Sequence, residues 1–337
     1  MSHYFRPIPM HDLTRPENAR VIAGGWCWFD TVEKITRGAG REQIGVENVP
    51  TEVLDRICAP RAAIAGLSFD APRIMGILNV TPDSFSDGGD FDRPDAALKH
   101  ARDMVAEGAD ILDIGGESTR PGADVVPIDV EISRTAPVIS AIRSEMQTPV
   151  SIDTRNAAAA MAAISAGANL INDVSAFSHD AEMVNVAVQT GAPVCLMHAQ
   201  GVPKTMQAAP SYDDVLLDVY DYLEDRIEFA NAAGIPRERI LIDPGIGFGK
   251  RENHNLVLLQ NISLFHALGC PILLGASRKK FIGNITDAQS AKDRTFGSVA
   301  VALLATTQGV QALRVHDIKA TSQAITMQMA ITTAKRD

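Results

Sequence analysis

The stretch Val150–Val174, VSIDTRNAAAAMAAISAGANLINDV, carries the fold in miniature. A short apolar run, Val150–Asp153, ends on an acid. An alanine-rich segment with helical character follows, Ala157–Ala166, and then a second apolar run, Leu170–Val174. Runs that are almost continuously apolar suit strands covered on both faces, and a helical crossover between them makes those strands parallel. Outward from this unit the same pattern repeats. Further runs lie at Ile74–Val80, Asp110–Ile114, Pro193–Met197, Ile240–Asp243, Ile272–Leu274 and Leu313–Val315, which brings the total to eight. Helical stretches are predicted at Pro94–Glu107, Tyr212–Ala233, Asn255–Leu268, Asp293–Thr307 and Ala320–Ala334.

Eight strand–helix units fit a closed (β/α)8 TIM barrel, and they also fit an open, doubly wound sheet. The polar residues decide between them. Asn79, Glu117, Asp153, Asn172, His198, Asp243, Ser277 and His316 each stand at or just beyond the end of a different run. An open sheet gathers its ligand at one switch point, whereas a barrel brings all eight ends around one cavity. The sequence therefore predicts an α/β barrel over residues 71–337. Residues 1–70 contain both tryptophans, Trp26 and Trp28, fit no strand–helix unit, and form an N-terminal extension whose structure and role the sequence leaves open.

Composition narrows the class of function. With 31 basic and 41 acidic side chains among 337 residues, the net charge is −10, which argues against a nucleic-acid or membrane-surface binder. A hydrophobic content of 46% supports a full core, and no run approaches the length of a membrane span. Cys27, Cys58, Cys195 and Cys270 are widely spread and form no Cys-x-x-Cys pair, so neither a thiolate metal site nor a disulfide framework is indicated. The N-terminus lacks the apolar core of a signal peptide, and the chain is expected in the cytoplasm.

Several loops carry chemistry. Asn79 opens a loop of small polar residues, Asn79–Gly89, and offers an oxygen ligand for a hard cation such as Mg2+. Gly115–Ala123 adds hydroxyl and guanidinium donors at Ser118, Thr119 and Arg120, suited to phosphate or carboxylate oxygens. Asp153, Asn172 and Asp243 are costly to bury singly. Together, on three converging strands, they can cradle a flat heterocycle with several N–H and C=O groups. Gly245–Lys250 fits neither the Walker pattern, with Pro244 and Arg251 at its ends, nor the dinucleotide pattern, and Phe248 within it reads as a ring wall. Arg314 and His316 stand two apart on one strand and so face the same side, as an anion clamp where barrels often hold phosphate.

As a set, these motifs resemble one family, the dihydropteroate synthases. The matching stretches, in family order, are Asn79–Gly89 with Phe85, Gly116–Gly122 with Ser118, Thr119, Arg120 and Pro121, Ser151–Arg155, Ile171–Val174, Asp243–Lys250, Ser277–Lys279 and Arg314–Asp317. The resemblance implies a folate-biosynthetic transferase that joins 6-hydroxymethyl-7,8-dihydropterin diphosphate to p-aminobenzoate by an SN1-like route. It implies that Asp153, Asn172, Asp243 and Lys279 hold the pterin, with Met197 and Phe248 among its walls. Arg314 and His316 would clamp the diphosphate, which Asn79 assists through Mg2+. Phe85, Ser118, Thr119, Arg120, Pro121 and Ser277 would build the p-aminobenzoate site, and the family resemblance implies a homodimer. Ala199 and Lys280 depart from the family pattern without touching a residue of chemical role. Two other readings are a non-catalytic pterin-binding paralogue and a pterin-dependent corrinoid methyltransferase.

Overall fold

The structure is a computed structural model that describes residues 2–80, 93–117, 126–201, 206 and 209–334. The first part of the chain forms β1 (His3–Pro7), β2 (Arg20–Val21), β3 (Trp28–Phe29), β4 (Thr31–Thr36), β5 (Gly40–Gly45) and helix α1 (Thr51–Cys58). Strands β1, β4 and β5 make an antiparallel sheet in the order β1-β4-β5. The barrel strands follow as β6 (Arg73–Asn79), β7 (Ile111–Gly115), β8 (Val150–Asp153), β9 (Leu170–Asp173), β10 (Val194–Met197), β11 (Ile240–Asp243), β12 (Leu273–Leu274) and β13 (Ala312–Val315). All eight are parallel in the order β11-β10-β9-β8-β7-β6-β13-β12, and a parallel bridge between Ile242 and Ile272 closes the ring. The barrel is therefore the one expected from its decorated strand ends.

Helices α2 (Arg93–Ala106), α3 (Ile128–Glu145), α4 (Ala157–Ser165), α5 (Met183–Thr190), α6 (Val215–Ala232), α7 (Glu252–Gln260), α8 (Lys280–Thr286), α9 (Thr295–Thr307) and α10 (Ile318–Thr333) surround it. The Asp214 carboxylate starts α6 by accepting the backbone N–H groups of Leu216 and Leu217, which the first helical turn leaves without partners. Buried alanines on α4 (Ala157, Ala159, Ala160 and Ala163) let that helix lie close to the sheet. The predicted single helix 255–268 is instead α7 followed, after Asn261, by a 3-10 segment, Ile262–Leu268. Among the described residues no helix is long and apolar enough to cross a membrane.

Two apolar regions build the core. The larger runs between strands and helices and continues without a break into Tyr4, Phe5, Phe29, Val32, Ile35 and Ile57 of the extension. The smaller fills the barrel's N-terminal end with one residue from each of seven strands, Met75 and Leu273 among them, and is capped by Ile64 and Phe69. Ile64 and Leu67 pair across a tight turn in which Ala65 and Gly66 both take positive φ, the signature of a two-residue hairpin loop. The bottom of the barrel is thus plugged, and only the C-terminal mouth is left to carry a site.

The extension is bound to the barrel by specific bonds as well as by apolar packing. Trp26 Nε1 donates to the Thr306 carbonyl at 2.7 Å, and Ser263 Oγ donates to the Pro7 carbonyl at 2.9 Å. Arg37 reaches α6, meeting Asp218 at 2.7 Å and Asp221 at 2.8 Å. His266, fully buried in the 3-10 segment, shares its Nε2 proton with the Gln308 carbonyl at 2.8 Å.

Candidate active site

The strand register places the polar residues around one mouth. Asp153 at the end of β8 stands opposite Gly115 of β7 and Asn172 of β9, and Met197 of β10 stands opposite Asp243 of β11. Their side chains point where inward positions of parallel strands must point, into the barrel. Asp153, Asn172, Asp243 and Met197 are all buried.

Arg314 is the hub. From β13 its Nε meets Asp113 Oδ2 at 2.5 Å and its Nη2 meets Asp153 Oδ2 at 2.7 Å. Asn172 Nδ2 donates to the same Asp113 oxygen at 3.2 Å. Asp113 Oδ1 and Asp153 Oδ1 are buried without a hydrogen-bond partner among the described residues. Burial pushes the Asp153 carboxyl up to about 7, against the downward pull of Arg314. Burial also raises Asp243, and the Gly245 N–H, which donates to Asp243 Oδ1 at 2.7 Å, pulls it back. Unsatisfied oxygens on buried acids are rare and call for a partner that brings N–H groups.

Asp113 is the residue that sequence reading missed. It sits inside the apolar run of β7 and is fully buried. A carboxylate in such a run has to be paired, and that was the available signal. Arg155 and Glu117 were also passed over as a pair: they form a buried ion pair at 3.1 Å beside the mouth.

The remaining predicted residues fall as follows. Lys279 caps the N-terminus of α8, and its Nζ lies 4.0 Å from the centre of the Phe248 ring, a cation–π contact. His316, just beyond β13, brings both its Nδ1 and its backbone N–H to Ser277 Oγ, at 3.1 and 3.2 Å. Arg314 thus turns toward the carboxylates, whereas His316 turns toward the neighbouring loop. Arg278 makes a two-pronged pair with Asp317, joining the loops after β12 and β13. Asn79 Oδ1 and Asp153 Oδ2 converge over the bare backbone of Gly115, each within 4 Å of the space a β-carbon would take there. Phe85, Ser118, Thr119, Arg120 and Pro121 lie outside the described residues.

Asp113, Asp153 and Asp243 are thus set against Arg314 and Lys279 at one mouth. Such a mouth can grip a flat, nitrogen-rich ring by its edge and face. The cations also supply positive charge where a leaving anion would develop. Among the described residues none at the mouth has the context of an activated nucleophile, and positioning and electrostatics are the chemistry they offer.

Comparison with known proteins points to one family. A family model described as pterin binding enzyme matches residues 75–316. The chain is 44% identical to the dihydropteroate synthase of Escherichia coli K12 over 271 residues, covering 80% of this chain and 95% of that protein. It is 46% identical to that of Neisseria meningitidis serogroup B over 264 residues, or 77% and 92% of the two chains. Among solved structures, Xanthomonas albilineans dihydropteroate synthase with 4-aminobenzoic acid superposes with a TM-score of 0.77 at 45% identity, covering 82% of this chain and 99% of that one. The same enzyme in complex with 7,8-dihydropteroate gives 0.75 at 42% identity, over 82% and 100%.

Proposed function

The chain belongs to the pterin-binding enzymes and, among them, to the dihydropteroate synthases, and from that membership we propose how its own residues carry the reaction. The substrates are 6-hydroxymethyl-7,8-dihydropterin diphosphate and p-aminobenzoate, and the products are 7,8-dihydropteroate, an intermediate of folate biosynthesis, and diphosphate. In the SN1-like route the bond from the pterin methylene to the diphosphate oxygen breaks first, and its electron pair leaves with the diphosphate. The arylamine nitrogen then attacks the cationic methylene and loses a proton to solvent.

Asp153, Asn172 and Asp243 receive the pterin's N–H edge, and the orphaned Asp153 Oδ1 is one acceptor already in place. Lys279 and Phe248 lie against its ring, with Met197 behind. Arg314 and His316 serve the diphosphate. Among the described residues the two carboxylates engage Arg314 through Nε and Nη2, which leaves Nη1 for an anion. The amine site draws on Ser277 and, by resemblance, on Phe85, Ser118, Thr119, Arg120 and Pro121.

The residues also fit a magnesium ion. Asn79 offers a neutral oxygen beside a carboxylate, and Mg2+ characteristically takes few protein ligands and fills its shell with water and substrate phosphates. Among the described residues no cluster of three His, Cys, Asp or Glu side chains would hold a metal by itself, in keeping with an ion that arrives with the diphosphate. Charge neutralisation on the departing diphosphate is what a bound Mg2+ would supply.

A homodimer and a cytoplasmic location complete the reading. Phe296 and Leu304 on α9, with Met327 and Ile331 on the adjoining α10, leave apolar stripes at helical spacing exposed, with Phe296 at 87%. A second copy is the occupant we assign to that face. Phe296→Glu should convert a dimer to a monomer in sedimentation, and a wild-type monomer would refute the assignment. All four cysteines are free, as suits a reducing compartment.

The observation that carries the activity is the Arg314 bridge to two carboxylates that keep unused oxygens. The test is diphosphate release by the purified chain with the dihydropterin diphosphate and Mg2+, with and without p-aminobenzoate. Amine-dependent release matched by dihydropteroate supports the proposal. Pterin binding without release would favour a non-catalytic paralogue.

A further inference from the structure

Lys250 and His198 have no role in the reaction described so far, yet both are buried beside the site. The Lys250 ammonium is 3% exposed and lies 2.8 Å from His198 Nδ1, and it also donates to the Phe248 carbonyl at 3.0 Å and the His198 carbonyl at 3.3 Å. Those are three acceptors for three N–H groups, and none is a carboxylate. Burial, with Lys250 beside it, holds the His198 imidazole well below its usual range, so the ring is neutral, and in the tautomer protonated on Nε2 its Nδ1 accepts from Lys250. Burial holds Lys250 well below the usual lysine range, and the charge that opposes this is that of Asp243. A buried ammonium without an ion-pair partner in contact is expensive, so its retention calls for a use.

That use is visible in what the pair joins. His198 opens the loop after β10, and Lys250 closes the loop after β11. Gly245 takes a left-handed φ of +70°, and a β-carbon there would stand 1.8 Å from the His198 carbonyl oxygen, so the two loops touch backbone to backbone. The Phe248 N–H donates to the Gly245 carbonyl, and Tyr212 Oη holds the Gly249 carbonyl at 2.7 Å. On the other side, the Tyr222 ring meets the His198 ring edge-on, with centroids 4.8 Å apart. At the end of this chain of bonds stands the Phe248 ring, with Lys279 Nζ over its face.

We propose that Lys250 and neutral His198 are positioning residues for the pterin. They fix the Phe248 wall, and through it the place of Lys279. Neither touches the substrate. The inference rests on the pterin-binding reading of the cradle, and its test separates the two.

The probe is 6-hydroxymethylpterin, titrated by calorimetry into the full chain. Losing the bonds of a charged donor to the wall is expected to weaken binding about tenfold or more in Lys250→Met. His198→Asn, which keeps an acceptor facing Lys250, should stay near wild type, and His198→Leu should resemble Lys250→Met. If the pair acts through the wall, Lys250→Met should add little in a Phe248→Leu background, while KM for p-aminobenzoate stays unchanged in the single variant. Wild-type affinity in Lys250→Met, or an undiminished effect in the Phe248→Leu background, would overturn the proposal. If Lys250→Met does not fold, His198→Leu alone and in the Phe248→Leu background carries the same test. A wild-type chain that does not bind the pterin would bring down the underlying reading and this inference with it.

Discussion

At the residue scale, Arg314 and His316 look interchangeable in the sequence and differ in the structure. Arg314 neutralises two buried carboxylates, so Arg314→Ala strands Asp113 and Asp153 and should cost about 3–5 kcal/mol of stability as well as turnover. His316 bonds Ser277 at the rim. His316→Ala should therefore lower turnover by about 10²–10³-fold, the usual loss for one group that stabilises developing negative charge, with the melting temperature unchanged. Wild-type turnover in His316→Ala would refute its role at the diphosphate. The mouth residues were legible because a polar residue closing an apolar strand announces itself. Asp113 was hidden because it lies inside such a run, where the run itself drew the reading. Lys250 was hidden because ruling out a phosphate loop over Gly245–Lys250 says nothing about where its lysine goes, and only the fold shows it driven inward against His198.

At the element scale, the eight strands were legible because both faces of each are covered, which writes an unbroken apolar run. Val150–Asp153 and Ile240–Asp243 have the boundaries the sequence assigns them. The 255–268 helix was misread because its second half answers to the extension. Arg41 Nη1 holds the Asn261 side chain at 3.2 Å and Ser263 is tied to Pro7, so the α-helix stops at Gln260 and a tighter turn continues. Nothing local in the sequence encodes that contact. His266 in this segment gives a pH prediction. Burial, with Arg61 nearby, lowers its imidazole from 6.5 to about 3. A group whose value is depressed on folding contributes stability that is complete above its unfolded value. That stability is lost as pH falls, here from 6.5 toward 3. His266→Gln, which keeps a donor for the Gln308 carbonyl, should flatten the fall in melting temperature between pH 7 and 4.5. A wild-type slope in the variant would show that another group governs that acid loss.

At the scale of the whole molecule, the extension belongs to the barrel's core. Phe5, Phe29 and Ile57 are buried in the same apolar cluster as Phe265 and Leu268. Side chains of this size contribute about 1.5–3 kcal/mol each when fully buried. Removing residues 1–60 should therefore lower the melting temperature by on the order of ten degrees or more, or abolish soluble expression. A truncated chain that melts like the full one would mean the docking adds nothing. Nothing within the extension signals this docking, because its partners are distant in the chain: Trp26 bonds to Thr306 and Ser263 to Pro7. That separation also sets a timetable. The extension finds its resting place only after the sixth and seventh helical layers of the barrel, far along the chain, have been made. Until then Trp26, Phe29 and Ile57 have no barrel surface to lie on, and an apolar stretch of the new chain stays open to other chains. Chaperone dependence during synthesis should accordingly track this segment, whereas the catalytic mouth plays no part in it.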